Sequence, residues 1–282
     1  MKTFKIKSHA KINLALNVTG KSSKLHKIES LITFIDLHDL IYLKLTDNKN
    51  HKVSFSGIFS KKISKTNTVS KLLKLLDQKK LLGNKKFDIE IVKNIPQKSG
   101  MGGGSMNAAT LINFFIKKKI LKIKKNVLKR ITRLIGSDVV LGIKPTNIVL
   151  TSGGKIKKYK KKLNIHTLVV KPNFGCSTKD IYSKVRKFTK PEFNSPKPLM
   201  FKINYLKTLK NDLEEIAFKK YLELKKIKSY LLTISNTNFV RMSGSGSSIV
   251  AYFQSKKTCT KAYRQFKGKF NSRYWCIISK TI

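Results

Sequence analysis

Pro96-Gln97-Lys98-Ser99-Gly100-Met101-Gly102-Gly103-Gly104-Ser105-Met106 is the densest punctuation in this 282-residue chain and holds four of its 15 glycines. Upstream, Phe87, Ile89 and Ile91 alternate with Asp88 and Glu90, the period-2 pattern of a strand. Downstream, Ala108, Leu111, Ile112 and Phe115 recur at helical spacing. The unit therefore reads as strand, glycine-rich loop, helix. Glycines let a backbone approach a ligand closely, and a helix start offers unpaired N–H groups and partial positive charge that suit phosphate. The alternative is an ordinary glycine turn, which does not need so many residues of such high chain entropy. No Lys-Ser/Thr pair follows the last glycine, and Ser105 stands where the dinucleotide fingerprint has its third glycine. Neither of those two nucleotide loops is present.

Working outward, Phe4 and Ile6, then Ile12, Leu14, Leu16 and Val18, alternate like strand residues, and the style continues from Leu31 to Leu45. Thr68 to Leu82 reads as a helix with a glycine stop at Gly83, and a second helix from about Lys125 ends at Gly136. Thr151-Ser152-Gly153-Gly154, before the basic run Lys155 to Lys162, fits a domain junction or an exposed turn. Asn211-Asp212-Leu213-Glu214 fits a helix capping box. A second glycine turn, Ser243-Gly244-Ser245-Gly246-Ser247-Ser248, lies between strand-like runs. Helices and strands mix in both halves, so the class is α+β.

Lys plus Arg number 61 against 14 Asp plus Glu, a formal net charge of +47. Such a charge suits polyanions, nucleic acid included. The lysines, however, run from Lys2 to Lys280 rather than forming one patch, so biased composition on solvated faces is the simpler reading. Apolar residues make up 40%, which argues for a packed core. Cys176, Cys259 and Cys276 show no paired spacing, and no uncharged apolar run reaches membrane-spanning length. A cytoplasmic protein is expected, with no membrane partner.

The scarcity of carboxylates narrows the search for a base. Asp88 and Glu90 sit on a strand face, and Asp36 and Asp39 flank an expected turn. Asp138 differs: it follows Gly136-Ser137 at a helix end and precedes Val139-Val140-Leu141. It suits proton transfer or, equally, a helix N-cap. Lys11 interrupts the apolar alternation Ala10-Lys11-Ile12-Asn13-Leu14 and can point into a site. His9, His26, His38, His51 and His166 show no metal spacing.

Four segments in order resemble the GHMP kinase superfamily: Ala10 to Leu14, Pro96 to Met106, Ile135-Gly136-Ser137-Asp138-Val139, and Arg241 to Gly246. Gly20 to His26 leading into Glu29-Ser30-Leu31-Ile32, with Asn211 to Glu214, resembles the members that act on a cytidine diphosphate ester of methylerythritol. The resemblance implies a two-domain GHMP kinase fold: an N-terminal ribosomal-protein-like α/β sandwich over 1–155 and a C-terminal ferredoxin-like α+β domain over 156–282. It puts the active site in the interdomain cleft.

It further implies transfer of the γ-phosphoryl group of ATP, with Mg²⁺, to the 2-hydroxyl of that small-molecule substrate, in isoprenoid precursor biosynthesis. Asp138 matches the base and Lys11 the catalytic lysine. Pro96, Gln97, Lys98, Ser99, Gly100, Met101, Gly102, Gly103, Gly104, Ser105 and Met106 match the ATP loop, with Ser105 near the metal and Asn67 bordering the adenine. Asn13, His26, Tyr182, Gly244 and Gly246 match substrate-side residues. Gln97-Lys98-Ser99 and Met106 depart from the family's loop, and Leu25 stands where a tyrosine usually flanks the cytosine.

A monomer or weak homodimer is expected. The rival readings are another small-alcohol kinase, of mevalonate or homoserine type, and a basic nucleic-acid-binding protein. The charge argument predicts that duplex and RNA binding, titrated at rising salt, disappears by physiological ionic strength. Selective binding that survives there would restore the nucleic-acid reading.

Overall fold

The computed structural model describes residues 2–22 and 25–282. Ser23 and Lys24, inside the Gly20 to His26 motif, lie outside the described residues. The chain forms two compact units that interleave along the sequence. The first comprises Met1–Lys11, Leu37–Gln97 and Gly102–Pro145; the second comprises Ile12–Asp36, Lys98–Met101 and Thr146–Ile282.

Two long strands, β1 (Phe4–Lys21) and β2 (His26–Thr46), contribute residues to both units. Asp36 and Asp39 lie within β2, so the turn expected between them does not form. The first unit continues with β3 (Lys52–Ser56), α1 (Thr68–Gln78), β4 (Lys86–Val92), α2 (Gly103–Lys117) and α3 (Lys125–Ile135). β4 runs antiparallel to β2 and parallel to β3, with α1 as the crossover. Phe87, Ile89 and Ile91 of β4 face inward, as their alternation predicts, and pack with Leu111, Ile112 and Phe115 of α2. α1 stops before the glycine-stopped end expected near Leu82, and a turn carries the chain to Gly83.

A 3₁₀ turn, Val139–Gly142, packs on α2 through small residues. A Cβ on Gly142 would come within 2.6 Å of the Ala109 Cβ and 3.0 Å of the Met106 sulfur. Glycine at 142 thus sets how closely the Asp138 turn approaches α2.

The second unit holds β5 (Asn147–Leu150), β6 (Ile156–Tyr159), β7 (His166–Lys171), α4 (Thr178–Ser183), α5 (Ile203–Thr208), α6 (Leu213–Lys220), α7 (Leu222–Thr233), β8 (Phe239–Met242), β9 (Ile249–Phe253), α8 (Lys256–Phe270) and β10 (Trp275–Lys280). β5 pairs with residues 30–32 of β2 and with β6. Residues 151–154 close the β5–β6 hairpin in a turn that is exposed at Gly153 and Gly154 and buried at Thr151. Four strands form a separate antiparallel sheet in the order β10-β7-β9-β8, the ferredoxin-like arrangement. Its apolar face packs on α7 and α8 through Ile249, Ala251, Phe253, Ile227, Leu231 and Phe266. No helix among the described residues is long and apolar enough to cross a membrane.

Overpacking a filled interior costs about 1–3 kcal/mol. Gly142→Ala should therefore lower the unfolding free energy by that order, measured by urea denaturation followed by circular dichroism.

Candidate active site

The first unit brings together three of the residues singled out by sequence. Lys11, on β1, is 5% exposed, and its Nζ lies 3.4 Å from Asp138 Oδ2. The Asp138 side chain is 37% exposed. Asp138 occupies the N-cap position of the 3₁₀ turn, yet its side chain makes no capping hydrogen bond. The carboxylate is instead turned to the lysine. Gly102 is the third member. Its φ of +66° is the left-handed region that glycine favours, and a Cβ there would approach Lys11 Cγ to 3.0 Å and Asp138 Oδ2 to 3.7 Å. Gly102 also caps α2 without any side-chain hydrogen bond. The helix N-terminus thus opens beside a buried cation and a partly exposed carboxylate, a setting that suits a phosphate group and a nearby proton acceptor.

The loop around Gly102 is held from below. Asp39 is fully buried and pairs with Lys93 Nζ. It also accepts from the N–H groups of Asn94 and Ile95, each at 2.8 Å, and from Asn107 Nδ2 at 3.0 Å. Lys93 Nζ would lie 3.3 Å from a Cβ at Gly103. Thr68 Oγ1 donates to the Gly104 carbonyl at 2.6 Å, tying α1 to the loop. Sequence reading passed over Lys93, and took Asp39 only as flanking a turn and Thr68 only as the start of a helix, because their partners are distant in the chain.

Other loop residues have separate tasks. The Asn67 side chain caps α1, accepting from Val69 and Ser70 N–H and donating to Ser64 and Lys65 carbonyls. Gln97 Nε2 donates to the Phe59 and Lys61 carbonyls. Pro96 and Met101 are buried, and the Met106 side chain is buried against Gly142. The Met106 N–H donates to the Gly102 carbonyl at 2.9 Å, inside the helix. Ser105 Oγ is directed toward Gly136, 3.7 Å from where a Cβ would stand.

The second unit assembles a different cluster. Ser99, buried, accepts through its carbonyl from Ser248 N–H at 3.1 Å, and Ser243 Oγ donates to the Gly100 carbonyl at 3.0 Å. A Cβ at Gly100 would overlap the Ser243 carbonyl, and its φ of +76° is left-handed, so packing and backbone conformation both call for glycine. Gly244 packs within 3.5 Å of Asn13 Oδ1 by the same measure. Asn13 Nδ2 donates to Ser30 Oγ at 2.8 Å.

A cavity of about 290 Å³ is lined by Lys98, Gly100, Cys176, Ser177, Thr178 and Gly246. Burial pushes the Cys176 thiol up to about 11, so it is a packing group and not a nucleophile at neutral pH.

Of the capping box expected at Asn211 to Glu214 only the Asn211 half forms: its Oδ1 accepts from Leu213 N–H at 3.0 Å, while Glu214 does not reach back. Asn211 Nδ2 donates to the Met242 and Gly244 carbonyls, each at 2.8 Å, and Glu214 Oε1 accepts from Met242 N–H at 2.7 Å. The motif thus braces the glycine turn as well as starting the helix.

His26 stands next to Tyr182, with ring centroids 5.2 Å apart. Burial, then the Lys21 charge, lower its pKa, so the imidazole is neutral at pH 7 and offers one donor and one acceptor.

Removing one partner of a buried ion pair leaves an uncompensated charge and costs about 3–5 kcal/mol. Asp39→Ala should lose stability on that scale in chemical denaturation, and the double variant Asp39→Ala/Lys93→Met should recover part of it.

Residues 67–148 match the GHMP kinases N terminal domain family. A protein of Pelagibacter ubique (strain HTCC1062) named 4-diphosphocytidyl-2-C-methyl-D-erythritol kinase is 67% identical over 282 residues, 100% of both chains. One of the same name from Clostridium perfringens (strain 13 / Type A) is 31% identical and 94% of each chain is covered. The crystal structure of a 4-(cytidine 5′-diphospho)-2C-methyl-D-erythritol kinase superposes with TM-score 0.78 at 21% identity, covering 98% of this chain and 99% of that one. The last comparison establishes the shared fold.

Proposed function

The chain belongs to the 4-diphosphocytidyl-2-C-methyl-D-erythritol kinase family of GHMP kinases, and we propose that it transfers the γ-phosphoryl group of ATP to the 2-hydroxyl of that cytidyl ester. The product is the 2-phosphate, with ADP, in the methylerythritol phosphate route to isoprenoid precursors. The cytoplasm is the proposed compartment, with a monomer or weak homodimer as the working form. Residues 1–155 carry the ATP loop, lysine and aspartate in this reading, and 156–282 carry most of the substrate side.

The observation that carries it is the position of Lys11 and Asp138 at Gly102, the left-handed residue that opens α2. Phosphoryl transfer asks a protein for positioning and charge stabilisation more than for covalent chemistry. The Asp138 carboxylate accepts or orients the proton of the substrate hydroxyl. That oxygen forms a bond to the γ-phosphorus while the bond to the β–γ bridging oxygen breaks. The Lys11 ammonium orients the carboxylate and offsets the charge on the attacking oxygen. The uncapped α2 start and the side-chain-free Gly102 to Gly104 give a triphosphate room and N–H donors.

The donors suit Mg²⁺, a hard cation that takes oxygen ligands: the Ser105 hydroxyl stands at the same helix start. When bound, Mg²⁺ neutralises charge on the phosphate oxygens. Asn13 contacts the polyol, His26 reads the cytosine edge with Tyr182 stacked on the base, and Gly244 and Gly246 let backbone approach the diphosphate. Asn67 serves the adenine side by fixing the start of α1.

Assay of the purified chain with ATP, Mg²⁺ and the cytidyl ester should give the 2-phosphate. Asp138→Asn and Lys11→Ala should each lower kcat by ~10²- to 10⁴-fold, the usual worth of a positioned proton-transfer group. Full activity in either variant would remove the mechanism. Transfer only to another alcohol, such as mevalonate or homoserine, would remove the substrate assignment.

A further inference from the structure

Phe188 is a large apolar side chain left 48% exposed in a stretch whose backbone is tied down on both sides. Before it, Val185 is buried in the core of the second unit, and its N–H donates to the Tyr182 carbonyl at 3.1 Å. After it, Thr189 N–H donates to the Val18 carbonyl at 2.9 Å, and the Thr189 hydroxyl donates to Asp212 Oδ2 at 2.7 Å. Further on, the buried Glu29 carboxylate accepts from the N–H groups of Glu192 and Phe193 at 2.7 and 3.0 Å. A loop fixed this firmly presents its phenyl ring to solvent by construction, not by fraying. Apolar surface held in water is unfavourable unless something covers it.

The ring has company. Phe188 and His26 have centroids 6.5 Å apart, and His26 is the neighbour of Tyr182. Three rings from two separate parts of the chain therefore meet at one place, and the central one is neutral and able to both donate and accept. Flat π faces beside a donor–acceptor edge suit a planar heteroaromatic base. Leu25, next to His26 in sequence, is 74% exposed and aliphatic. It presents no π face for stacking.

We propose that Phe188 is a specificity-determining residue that stacks on the pyrimidine base of the substrate, supplying the aromatic face that Leu25 does not. This rests on the cytidyl-ester reading above. Phe188 does not touch the transferred phosphoryl group in this scheme; its contribution is to ground-state recognition of the base.

The test compares the wild-type chain, Phe188→Ala, Phe188→Tyr and Phe188→Ala/Leu25→Tyr. Readouts are steady-state kinetics with ATP and the cytidyl ester, and calorimetric binding of cytidine 5′-monophosphate. Loss of one base–aromatic stack should raise KM for the ester by ~5- to 150-fold in Phe188→Ala and weaken the nucleotide by a similar factor. KM for ATP and kcat should move far less. Phe188→Tyr should behave like wild type, and Leu25→Tyr should restore much of the lost affinity.

Unchanged KM and nucleotide affinity in Phe188→Ala, with a wild type that phosphorylates the ester, would overturn the proposal and leave the substrate reading standing. A wild type that neither phosphorylates the ester nor binds the nucleotide would overturn both. An equal rise in KM for ATP would mark general damage to the site and would also count against the proposal.

Discussion

A carboxylate taken out of water must be met by a cation and by hydrogen-bond donors, or it costs several kcal/mol. Asp39 imposes that constraint on the first unit. Its fully buried oxygens draw in Lys93, the N–H groups of Asn94 and Ile95, and the Asn107 amide. One residue of β2 thereby fixes the end of β4, the entry to the glycine loop and the first turn of α2. The loop's lack of side chains is useful only because its flanks are held in this way. Flexible glycines without such anchors would lose the entropy of ordering each time a ligand bound.

The second unit repeats the device. Glu29, buried on β2, accepts from Asn17 Nδ2 and from the backbone at 192–193. Glu214 accepts from Met242 N–H and from Lys228, and with Asn211 holds the glycine turn. In a chain with only 14 acidic residues, Asp39, Glu29 and Glu214 serve as backbone anchors, and so does Asp212, which accepts from Val18 N–H at 2.8 Å. Asp138 stands apart from these. Its carboxylate faces the Lys11 Nζ at 3.4 Å, and its side chain is over a third exposed. A carboxylate locked by several short donors is a poor proton acceptor, whereas one held by a single cation at moderate distance keeps a lone pair for substrate. The difference in hydrogen bonding separates structural acids from the proposed catalytic one.

The net charge of +47 fits this division of labour. A few cations have defined positions: Lys11 at Asp138, Lys93 at Asp39, Lys171 donating to the Pro172 and Phe174 carbonyls. Most of the others are spread over exposed positions, where each contributes to a general positive field that draws in polyanions such as ATP.

Periodicity, glycine placement and motif order determined much from sequence alone: the strand–loop–helix unit, β4, the end of α3 at Gly136 and the α+β class. These are local signals, written in neighbours a few positions apart. The tertiary structure decided what those signals do not carry. Asp39 reads as a turn residue until Lys93 lies beside it, 54 positions later in the chain. Glu214 reads as a cap until Met242, 28 positions on, offers its N–H. Gly100 and Gly102 look equivalent in the loop, yet the Ser243 backbone presses on one and the Lys11 side chain on the other. A side chain's role depends on which distant partner satisfies it. That pairing is a property of the packed chain, and no single stretch of sequence contains it.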